Sequence, residues 1–408
     1  MNKADSERLG AGLQKLGYSP AAIEDADIVV VNSCVVRHSA ENRVLSKLGA
    51  LKPLKRARPD VLIALTGCLV DSRKEELRRR FPQVDVFMRP QEFGELLEVA
   101  ASRAPAVPRD DFVLRPAPAV FVPVIHGCNK FCSYCIVPYR RGREHSRPIP
   151  EVVTEVEELV AHGAREVTLL GQNVDSYGRD LPERPNLADL LTAVNRIEGV
   201  ERIRFLTSHP RDMTSRLIHS VARLEKVCKH ISVPLQAGDD AILKAMRRGY
   251  TVNDYRKLVQ RIRRTIPGVA LATDVIVGFP GESEAQFERT FSLLQELRFD
   301  TVHVAAYSPR PGTLAARKLP DNVPGEEKRR CLAAIERLQE GIAAEINAAL
   351  LGQRVEVLVE GLKRDKWQGR TRTGKLVFFS HAADQLGKLV EVEIEKTSPW
   401  SLQGGLNE

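Results

Sequence analysis

Apolar residues in the first hundred positions alternate between helical and strand-like spacing. Leu9, Leu13 and Leu16 recur at intervals of four and three residues, which predicts one apolar face of a helix. Residues 27–31 and 61–65 instead contain continuous apolar runs, as in buried parallel strands. This alternation predicts an N-terminal open α/β sheet that is covered by helices.

A longer series of strand-like and helix-like runs follows a segment rich in proline and alanine at residues 105–118, which we interpret as a linker. In one helix, Ser283 and Gln286 form an S-x-x-Q capping box before an apolar stripe. Six strands with intervening helices predict an incomplete (βα)6 barrel, because eight units would need more chain. The predicted strands occupy residues 120–125, 166–170, 202–206, 231–235, 270–276 and 301–306.

The pattern changes again towards the C-terminus. Residues 325–351 are charged and helical, and strand-like runs separated by glycine turns follow them. We therefore predict a small all-β C-terminal module, with strands at residues 354–359, 375–379 and 388–394. The predicted organisation is an N-terminal α/β domain at 1–104, a linker at 105–118, a barrel at 119–342 and the β module at 343–408.

Composition narrows the class of partner and the compartment. The 408 residues include 61 Lys and Arg against 53 Asp and Glu, a net charge of +8, which favours an anionic partner such as nucleic acid without proving one. The apolar stretches are far shorter than the roughly 20 residues of a membrane span, and the N-terminal residues are polar, unlike a signal peptide. With 7 cysteines, an odd number, we expect a cytoplasmic protein with reduced thiols, some of them metal ligands.

Three cysteines with the spacing C-x3-C-x2-C follow the first predicted barrel strand. Cys128, Cys132 and Cys135 would lie at the carboxyl end of that strand, where α/β barrels carry their chemistry. Three thiolates hold three irons of a 4Fe–4S cluster and leave the fourth iron open to an external ligand. A zinc site is the alternative, although structural zinc sites use C-x2-C pairs and a closed fourth position. The spacing predicts the iron–sulfur cluster.

This motif, with Tyr134 before the last cysteine, resembles that of the radical S-adenosylmethionine (SAM) enzymes. The resemblance implies that the open iron binds SAM and that reductive cleavage of SAM yields a 5′-deoxyadenosyl radical. It also implies SAM contacts at Tyr134, Gly171, Gln172, Ser208, Gln236 and Gly278. For each of these residues taken alone, ordinary turn chemistry is the alternative.

Cys34 and Cys68 each follow a predicted N-terminal strand, at the ligand edge of an open α/β sheet. A pair of buried structural thiols is the alternative. The surrounding segments, NSCVVR and TGCLV, resemble the N-terminal domain of methylthiotransferases, a subgroup of radical SAM enzymes. That resemblance implies an auxiliary 4Fe–4S cluster with three cysteine ligands, hence two clusters in a complete protein.

The first residues of the chain bear on the third ligand of that auxiliary cluster. They resemble the segment that follows a Gly-Cys-Gln in methylthiotransferases, so we expect the third cysteine and the first strand to precede Met1 in an apparently truncated N-terminus. The alternative is a protein whose auxiliary site has two cysteines.

Residues 135–144, 369–379 and 399–402 resemble the methylthiotransferases that make 2-methylthio-N6-dimethylallyladenosine in tRNA, the last two segments within their TRAM domain. The resemblance implies methylthiolation of carbon 2 of an isopentenylated adenosine beside the anticodon. One SAM would supply the methyl group and a second SAM the radical. It also implies three partners: the tRNA anticodon stem-loop, an electron donor such as a flavodoxin or ferredoxin, and a sulfur source. We assign no protein acid or base.

Basic residues around an indole suit RNA, because cations contact phosphates and the ring stacks on a base. We predict such contacts in the β module and just after the cysteine loop; a solvated charged hairpin is the alternative. The predicted RNA-binding residues are Arg140, Arg141, Arg143, Lys363, Arg364, Trp367, Arg370, Arg372 and Lys375.

Three other functions remain as alternatives. Two are sister methylthiotransferases, one acting on threonylcarbamoyl-adenosine in tRNA and one on an aspartate of a ribosomal protein. The third is a non-catalytic RNA-binding protein. The complete C-x3-C-x2-C motif argues against this third function, because RNA binding alone needs no cluster ligands.

Overall fold

The N-terminal apolar runs form parallel strands in a computed structural model that describes residues 1–33, 38–67, 69–70, 74–90, 92–104 and 117–406. Strand β1 pairs with β2, Val29 opposite Ile63, and β2 pairs with β3. The elements are α1 (Asn2–Lys15), β1 (Ile28–Ser33), α2 (His38–Ala50), α3 (Lys52–Ala57), β2 (Leu62–Gly67), α4 (Lys74–Arg80), β3 (Val86–Phe87) and α5 (Gly94–Arg103). The two-residue strand β3 is too short to give a recognisable sequence pattern.

Both faces of this sheet are covered, which explains why its strands read as continuous apolar runs. Along β2, Ile63 and Leu65 belong to one apolar cluster, whereas Leu62 and Ala64 belong to another on the opposite face. Ile136, just before α6 (Val137–Arg140), joins the first of these clusters. The described residues up to 104 and Cys135–Arg143 therefore form one compact unit, which we call unit 1.

The second unit, unit 2, contains the remaining described residues, and its first part is the predicted barrel. Six parallel strands follow one another as predicted: β4, β7, β8, β9, β10 and β11. The elements are β4 (Ala119–Pro123), β5 (Ile125–His126), β6 (His145–Ser146), α7 (Ile149–Ala161), β7 (Glu166–Leu170), α8 (Leu187–Asn195), β8 (Arg202–Leu206), α9 (Ser215–Arg223), β9 (His230–Ser232), α10 (Asp240–Ala245), α11 (Val252–Thr265), β10 (Ala270–Val277), α12 (Glu284–Leu297), β11 (Thr301–Ala306) and α13 (Leu314–Lys318). The incomplete α/β barrel is thus confirmed.

The barrel wall is divided into two three-stranded sheets, β4–β7–β8 and β9–β10–β11. A single bridge, Ile203 to Val227, lies between them. Strand β9 ends at Ser232, earlier than predicted, because the chain beyond it pairs irregularly: the N–H of Leu235 donates to the Thr273 hydroxyl instead of a backbone carbonyl. The capping box predicted for α12 is present, with the Ser283 N–H donating to Gln286 at 2.9 Å.

A long helix leads from the barrel to the β module, and the module forms a closed five-stranded barrel in the order β12–β13–β14–β16–β15. The elements are α14 (Gly325–Ala348), β12 (Arg354–Lys363), β13 (Lys366–Thr371), β14 (Leu376–Phe379), β15 (Leu389–Thr397) and β16 (Leu402–Leu406). Its core includes Val357, Phe379 and Ile394. The module is confirmed, although β13 and β16 were not predicted, because both are rich in polar residues and glycine. Among the described residues, no helix is long and apolar enough to cross a membrane.

Candidate functional site

Two of the three motif cysteines lie in unit 2, in the loop after β5. Cys128 and Cys132 are 8% and 7% exposed. The loop is fixed by Ser133, whose N–H and hydroxyl donate to the carbonyls of Met246 and Ala245 at 3.0 and 2.8 Å. The site therefore has a shielded pair of thiols on a loop that the neighbouring helix α10 holds in position.

A buried arginine contacts one of these thiols. Arg248, 6% exposed, donates from Nη1 to Sγ of Cys132 at 3.3 Å and from Nε to the Tyr250 hydroxyl at 3.0 Å. The Tyr250 hydroxyl in turn donates to the carbonyl of Leu235 at 2.7 Å. The guanidinium is a permanently charged donor, and it orients the sulfur of Cys132 within the loop. This suits thiolate ligation of a metal cluster.

A second anchor of the cysteine loop is ionic. Lys130 Nζ lies 2.6 Å from Oδ2 of Asp212, which also accepts from Asn173 Nδ2 at 2.7 Å, and Arg179 pairs with the other carboxylate oxygen at 2.8 Å. Burial alone raises the pKa of Asp212, but these three donors outweigh it and hold the pKa below its ordinary value. The carboxylate is therefore charged, and it ties the loop to the segments that follow β7 and β8.

The environment of Cys128 is different. Burial raises the pKa of its thiol to about 11, so the protein by itself favours the neutral form. A thiolate is required for metal ligation, and a bound cationic cluster supplies the counter-charge that stabilises it. The donor set of the loop, soft sulfur with one guanidinium partner, therefore fits an iron–sulfur cluster better than a hard oxygen-preferring cation.

The other predicted cluster ligands lie either in unit 1 or outside the described residues. Cys135 belongs to the segment grouped with unit 1, and Cys34 and Cys68 lie outside the described residues. Within the described ranges, no three His, Cys, Asp or Glu side chains form a ready metal-binding group. Ligation by Cys128, Cys132 and Cys135, and by Cys34 and Cys68, therefore stays a prediction from spacing and chemistry.

Gly171 and Gln172, both predicted to contact SAM, follow β7 at the same carboxyl edge. A methyl group on Gly171 would lie 2.4 Å from Cγ2 of Ile125, so only glycine fits beside the strand that carries the cysteine loop. Both amide atoms of the Gln172 side chain are buried and have no partner among the described residues. A buried amide without partners is costly, and a polar ligand would satisfy it.

The other predicted SAM contacts have mixed surroundings. Ser208 is already engaged: its hydroxyl donates to Asp175 at 2.9 Å. Gln236 and Gly278 have positive φ values of 74° and 67°, so both mark sharp turns after strands of the second sheet. Tyr134 packs against the apolar cluster that includes Phe279 and Tyr307. These residues line the carboxyl edge, and their contacts with SAM stay predictions.

The tip of the β12–β13 hairpin is the exposed basic part of the β module. Lys363 and Arg364 are exposed, and Arg370 on β13 is exposed as well, with its guanidinium 3.6 Å from Glu360. Trp367 is only half-exposed, because it packs against the module's core and its indole N–H donates to the His381 carbonyl at 3.1 Å. The indole with a free face is instead Trp400, which is 59% exposed and was not predicted as a site residue.

Two of the predicted RNA-binding residues make contacts that anchor the module. Lys375 pairs with Asp300, just before β11, at 3.0 Å and is 14% exposed. Arg372 donates to the carbonyl of Glu225 and lies 3.8 Å from Glu356. Both side chains help to hold the β module against the amino ends of the barrel strands, and their contacts with RNA stay predictions.

Arg141 is also engaged within the protein. Its side chain is 6% exposed and contacts two residues of α1 within unit 1: Asp5 at 3.3 Å and Asn2 at 2.8 Å. Its contact with RNA stays a prediction. Arg143 is exposed and Arg140 is partly buried, so they remain candidates for RNA contact.

Arg248, Lys130 and Asp212 were not predicted from the sequence as site residues. Each acts through a partner that is distant in the chain: Arg248 and Cys132 are separated by 116 residues. The dipeptide Arg247-Arg248 resembles any exposed basic pair, and only the fold shows that the second arginine faces inward.

Three family models match successive parts of the chain. Residues 122–294 match the Radical SAM superfamily, residues 1–89 match "Uncharacterized protein family UPF0004", and residues 348–406 match the TRAM domain. The match to the radical SAM superfamily includes the cysteine loop and five of the six barrel strands in full or in part.

Relatives are similar over the whole chain. A protein of Dehalococcoides mccartyi (strain CBDB1), named tRNA-2-methylthio-N(6)-dimethylallyladenosine synthase, is 52% identical, with 100% of this chain and 96% of the relative aligned. Proteins of the same name from Chloroflexus aurantiacus and Roseiflexus sp. are 52% and 53% identical, covering 99% and 100% of this chain and 89% and 87% of theirs. Among solved structures, the radical SAM methyltransferase TsrM of Kitasatospora setae has a TM-score of 0.53 at 14% identity, over 76% of this chain and 68% of that one. It supports the fold alone.

Proposed function

Since the chain belongs to the family of tRNA-2-methylthio-N(6)-dimethylallyladenosine synthases, we propose that it methylthiolates carbon 2 of N6-dimethylallyladenosine next to the tRNA anticodon. It is a radical SAM tRNA methylthiotransferase. The observation that carries this function is the identity of 52% over the full chain and 96% of a relative with that activity in its name. The sister activities on threonylcarbamoyl-adenosine and on a ribosomal aspartate have no comparable support.

The family uses iron–sulfur chemistry and SAM, and the residues described here suit both. Cys128, Cys132 and Cys135 would hold a 4Fe–4S cluster, with SAM at its open iron. When bound, the cluster and one SAM would supply the radical that activates carbon 2, while a second SAM would supply the methyl group and a sulfur source the sulfur. We propose a second 4Fe–4S cluster at Cys34 and Cys68.

The chain's own contribution at the first cluster is to position the ligands and to exclude water. Arg248 donates to the Cys132 sulfur, and Lys130 and Ser133 fix the loop on either side of it. The low exposure of Cys128 and Cys132 keeps bulk solvent from the sulfurs. Such shielding favours radical chemistry, because water and buffer molecules are kept from reactive intermediates.

For SAM we propose that Gln172 provides a polar contact, since its buried amide has no partner among the described residues. Gly171 lets the backbone pass close to Ile125, and Gly278 turns the chain after β10. Tyr134, Ser208 and Gln236 complete the proposed lining of the same edge.

The tRNA would meet cations of the β module and of the segment that follows the cysteine loop. Lys363, Arg364, Arg370, Arg140 and Arg143 are the proposed phosphate contacts. An electron donor such as a flavodoxin or ferredoxin, a sulfur source and a cytoplasmic location complete the proposal. The domain boundaries we propose are 1–104, 119–342 and 343–408, with 105–118 as the linker.

The test is an in vitro assay with the anaerobically reconstituted protein, SAM, a reductant and sulfide. The substrates are three anticodon stem-loops that carry dimethylallyladenosine, threonylcarbamoyl-adenosine or unmodified adenosine. We expect a 2-methylthio nucleoside from the first alone. Product from threonylcarbamoyl-adenosine alone, or tRNA binding without SAM cleavage, would replace this function by one of the alternatives.

A further inference from the structure

A basic cavity of 330 Å³ opens on the barrel surface, and none of the proposed SAM contacts lines it. It lies between the segment after β8 and the first half of α11. Its floor is formed by the buried residues Tyr255 and Leu258, and its rim carries Arg211, Lys257 and Arg261. The cavity is large enough for one phosphate group with several water molecules, since a water occupies about 30 Å³ in the liquid.

The three cations at the rim lack the partners that comparable residues have. Within the part of the chain that the structure describes, none of them forms an ion pair, whereas Arg256 on the same helix pairs with Glu296 at 2.6 Å. Nε of Arg261 is buried without a hydrogen-bond acceptor. Gathering like charges at one opening is unfavourable unless an anion occupies it, because the cations repel one another.

One carboxylate, Asp254, also lines the cavity; hydrogen bonds from Thr251 are the main cause of its lowered pKa, and the charge of Lys257 contributes less. Asp254 accepts from the N–H and the hydroxyl of Thr251 at 3.0 and 2.7 Å, as the capping box of α11. Three cations against one anion leave the rim positive. The spacing reinforces this, because Lys257 and Arg261 are four residues apart and so lie on one face of the helix.

The position of the cavity connects it with the chemistry. Gly249 has a positive φ of 71°, which favours glycine, and a Cβ there would lie 2.7 Å from Nη1 of Arg211, so the Arg211 guanidinium lies close to this turn. The next residue, Tyr250, lines the cavity. The guanidinium carbon of Arg248 lies 5.4 Å from the centroid of the Tyr250 ring, and Arg248 also contacts Cys132. An anion in the cavity is thus separated from the cysteine loop by two side chains.

We propose that this cavity binds a phosphate group of the tRNA backbone through Arg211, Lys257 and Arg261. The inference rests on the proposed function, because it assigns the anion to the tRNA. Binding here fixes one phosphate beside the cysteine loop and so orients the anticodon stem-loop at the carboxyl edge of the barrel. It is distinct from the TRAM contacts, which lie on another domain.

The test compares Lys257→Gln/Arg261→Gln with a matched control, Arg196→Gln/Arg223→Gln. The control removes the same charge from two exposed arginines at the C-terminal ends of α8 and α9. Binding of the anticodon stem-loop is measured as a function of salt for the reconstituted full chain. We expect about a tenfold loss of affinity and a salt slope flatter by about one for the cavity variant, as for one lost phosphate contact. The control should retain the wild-type slope.

Several outcomes would overturn the inference. An unchanged slope in the cavity variant means that no tRNA phosphate binds there, and equal losses in both variants mean a general charge effect. If inorganic phosphate binds the wild type but the cavity variant shows the wild-type salt dependence of stem-loop binding, the cavity binds a free anion and not the tRNA. Thermal melting of each variant tests for misfolding. If the double variant melts at a lower temperature than the wild type, the single variant Lys257→Gln is used in its place. Failure of the proposed function is separate: the wild type would then bind stem-loop without forming the 2-methylthio nucleoside.

Discussion

Arg202, a wholly buried residue of the barrel strand β8, pairs with Glu356 of the β module at 2.7 Å. The same guanidinium donates to the Arg370 carbonyl at 2.6 Å, and Arg204, two residues on, donates to the Thr371 carbonyl at 2.7 Å. Glu166 of β7 forms an ion pair with this second arginine, with Oε1 2.8 Å from Nε of Arg204. The β module is thus fixed to the amino ends of the barrel strands by buried, charge-assisted hydrogen bonds.

Substitution Arg202→Met should separate the module from the barrel. Removing one partner of a fully buried ion pair costs about 3–5 kcal/mol, and we expect about 2 kcal/mol here because Glu356 is 36% exposed and regains water. The measurement is the free energy of unfolding in urea. Arg165→Met, which removes an exposed pair with Glu201, is the control and should cost less than about 1 kcal/mol. Equal costs for the two variants would contradict the anchoring role.

Substitution Arg248→Met should make the cluster harder to reduce. Loss of the hydrogen bond and the positive charge near Cys132 stabilises the oxidised, less negative cluster relative to the reduced one. We expect the reduction potential to fall by on the order of 60 mV, equivalent to a tenfold change in a one-electron equilibrium. An EPR-monitored redox titration measures it. The exposed neighbour variant Arg247→Met should leave the potential unchanged, and a shift of the same size there would argue against the specific contact.

Asp175 should make stability fall as the pH rises. Burial raises the pKa of this carboxyl to about 7, although Ser208 and the His209 N–H donate to it. Between about pH 4 and 7 the folded protein retains a proton that the unfolded chain has lost, so stability decreases across that window by at most about 1.4 kcal/mol per pH unit. Asp175→Asn should flatten this dependence. Parallel pH profiles for wild type and variant, measured by urea unfolding, would show that Asp175 is not the titrating group.

Substitution Lys363→Gln/Arg364→Gln at the hairpin tip should weaken tRNA binding without affecting SAM cleavage. Each lost phosphate contact should reduce the salt slope by about one. Arg354→Gln/Lys388→Gln, which removes the same charge from exposed positions towards the other end of β12 and before β15, is the control. A slope that responds to both pairs equally would indicate a diffuse electrostatic effect and not a binding site.

The sequence predicted three strands of the barrel to the residue. Strands β7, β8 and β11 begin and end at the predicted residues. Of these, only β7 is buried at every position; β8 includes Arg202 and Arg204, and β11 is mostly half-buried, so short β-branched and apolar runs located these strands, not burial on both faces. Strand β9 was predicted too long, since its apolar residues continue into a segment that leaves the ladder. The division of the wall at Ile203 and Val227 depends on pairing geometry and leaves no trace in the apolar pattern.

The role of individual charges was the part that the sequence did not reveal. Lys375 and Lys363 have similar basic surroundings along the chain, yet Lys375 contacts Asp300, 75 residues away, and Lys363 is exposed. Arg141 likewise follows an exposed-looking basic run but contacts Asp5, 136 residues away. Whether a cation binds RNA or stabilises the fold depends on such long-range partners, which local composition does not encode.

The most direct test of the account is nucleoside mass spectrometry of tRNA from a strain that lacks the gene for this chain. We predict that the strain accumulates N6-dimethylallyladenosine and that the wild-type gene restores its 2-methylthio derivative. The same gene with Cys128, Cys132 and Cys135 all replaced by alanine should not restore it, because SAM cleavage requires the cluster that these thiolates hold. Restoration by the triple variant, or unaltered 2-methylthio nucleoside in the deletion strain, would contradict the assignment of the cysteine loop and of the function.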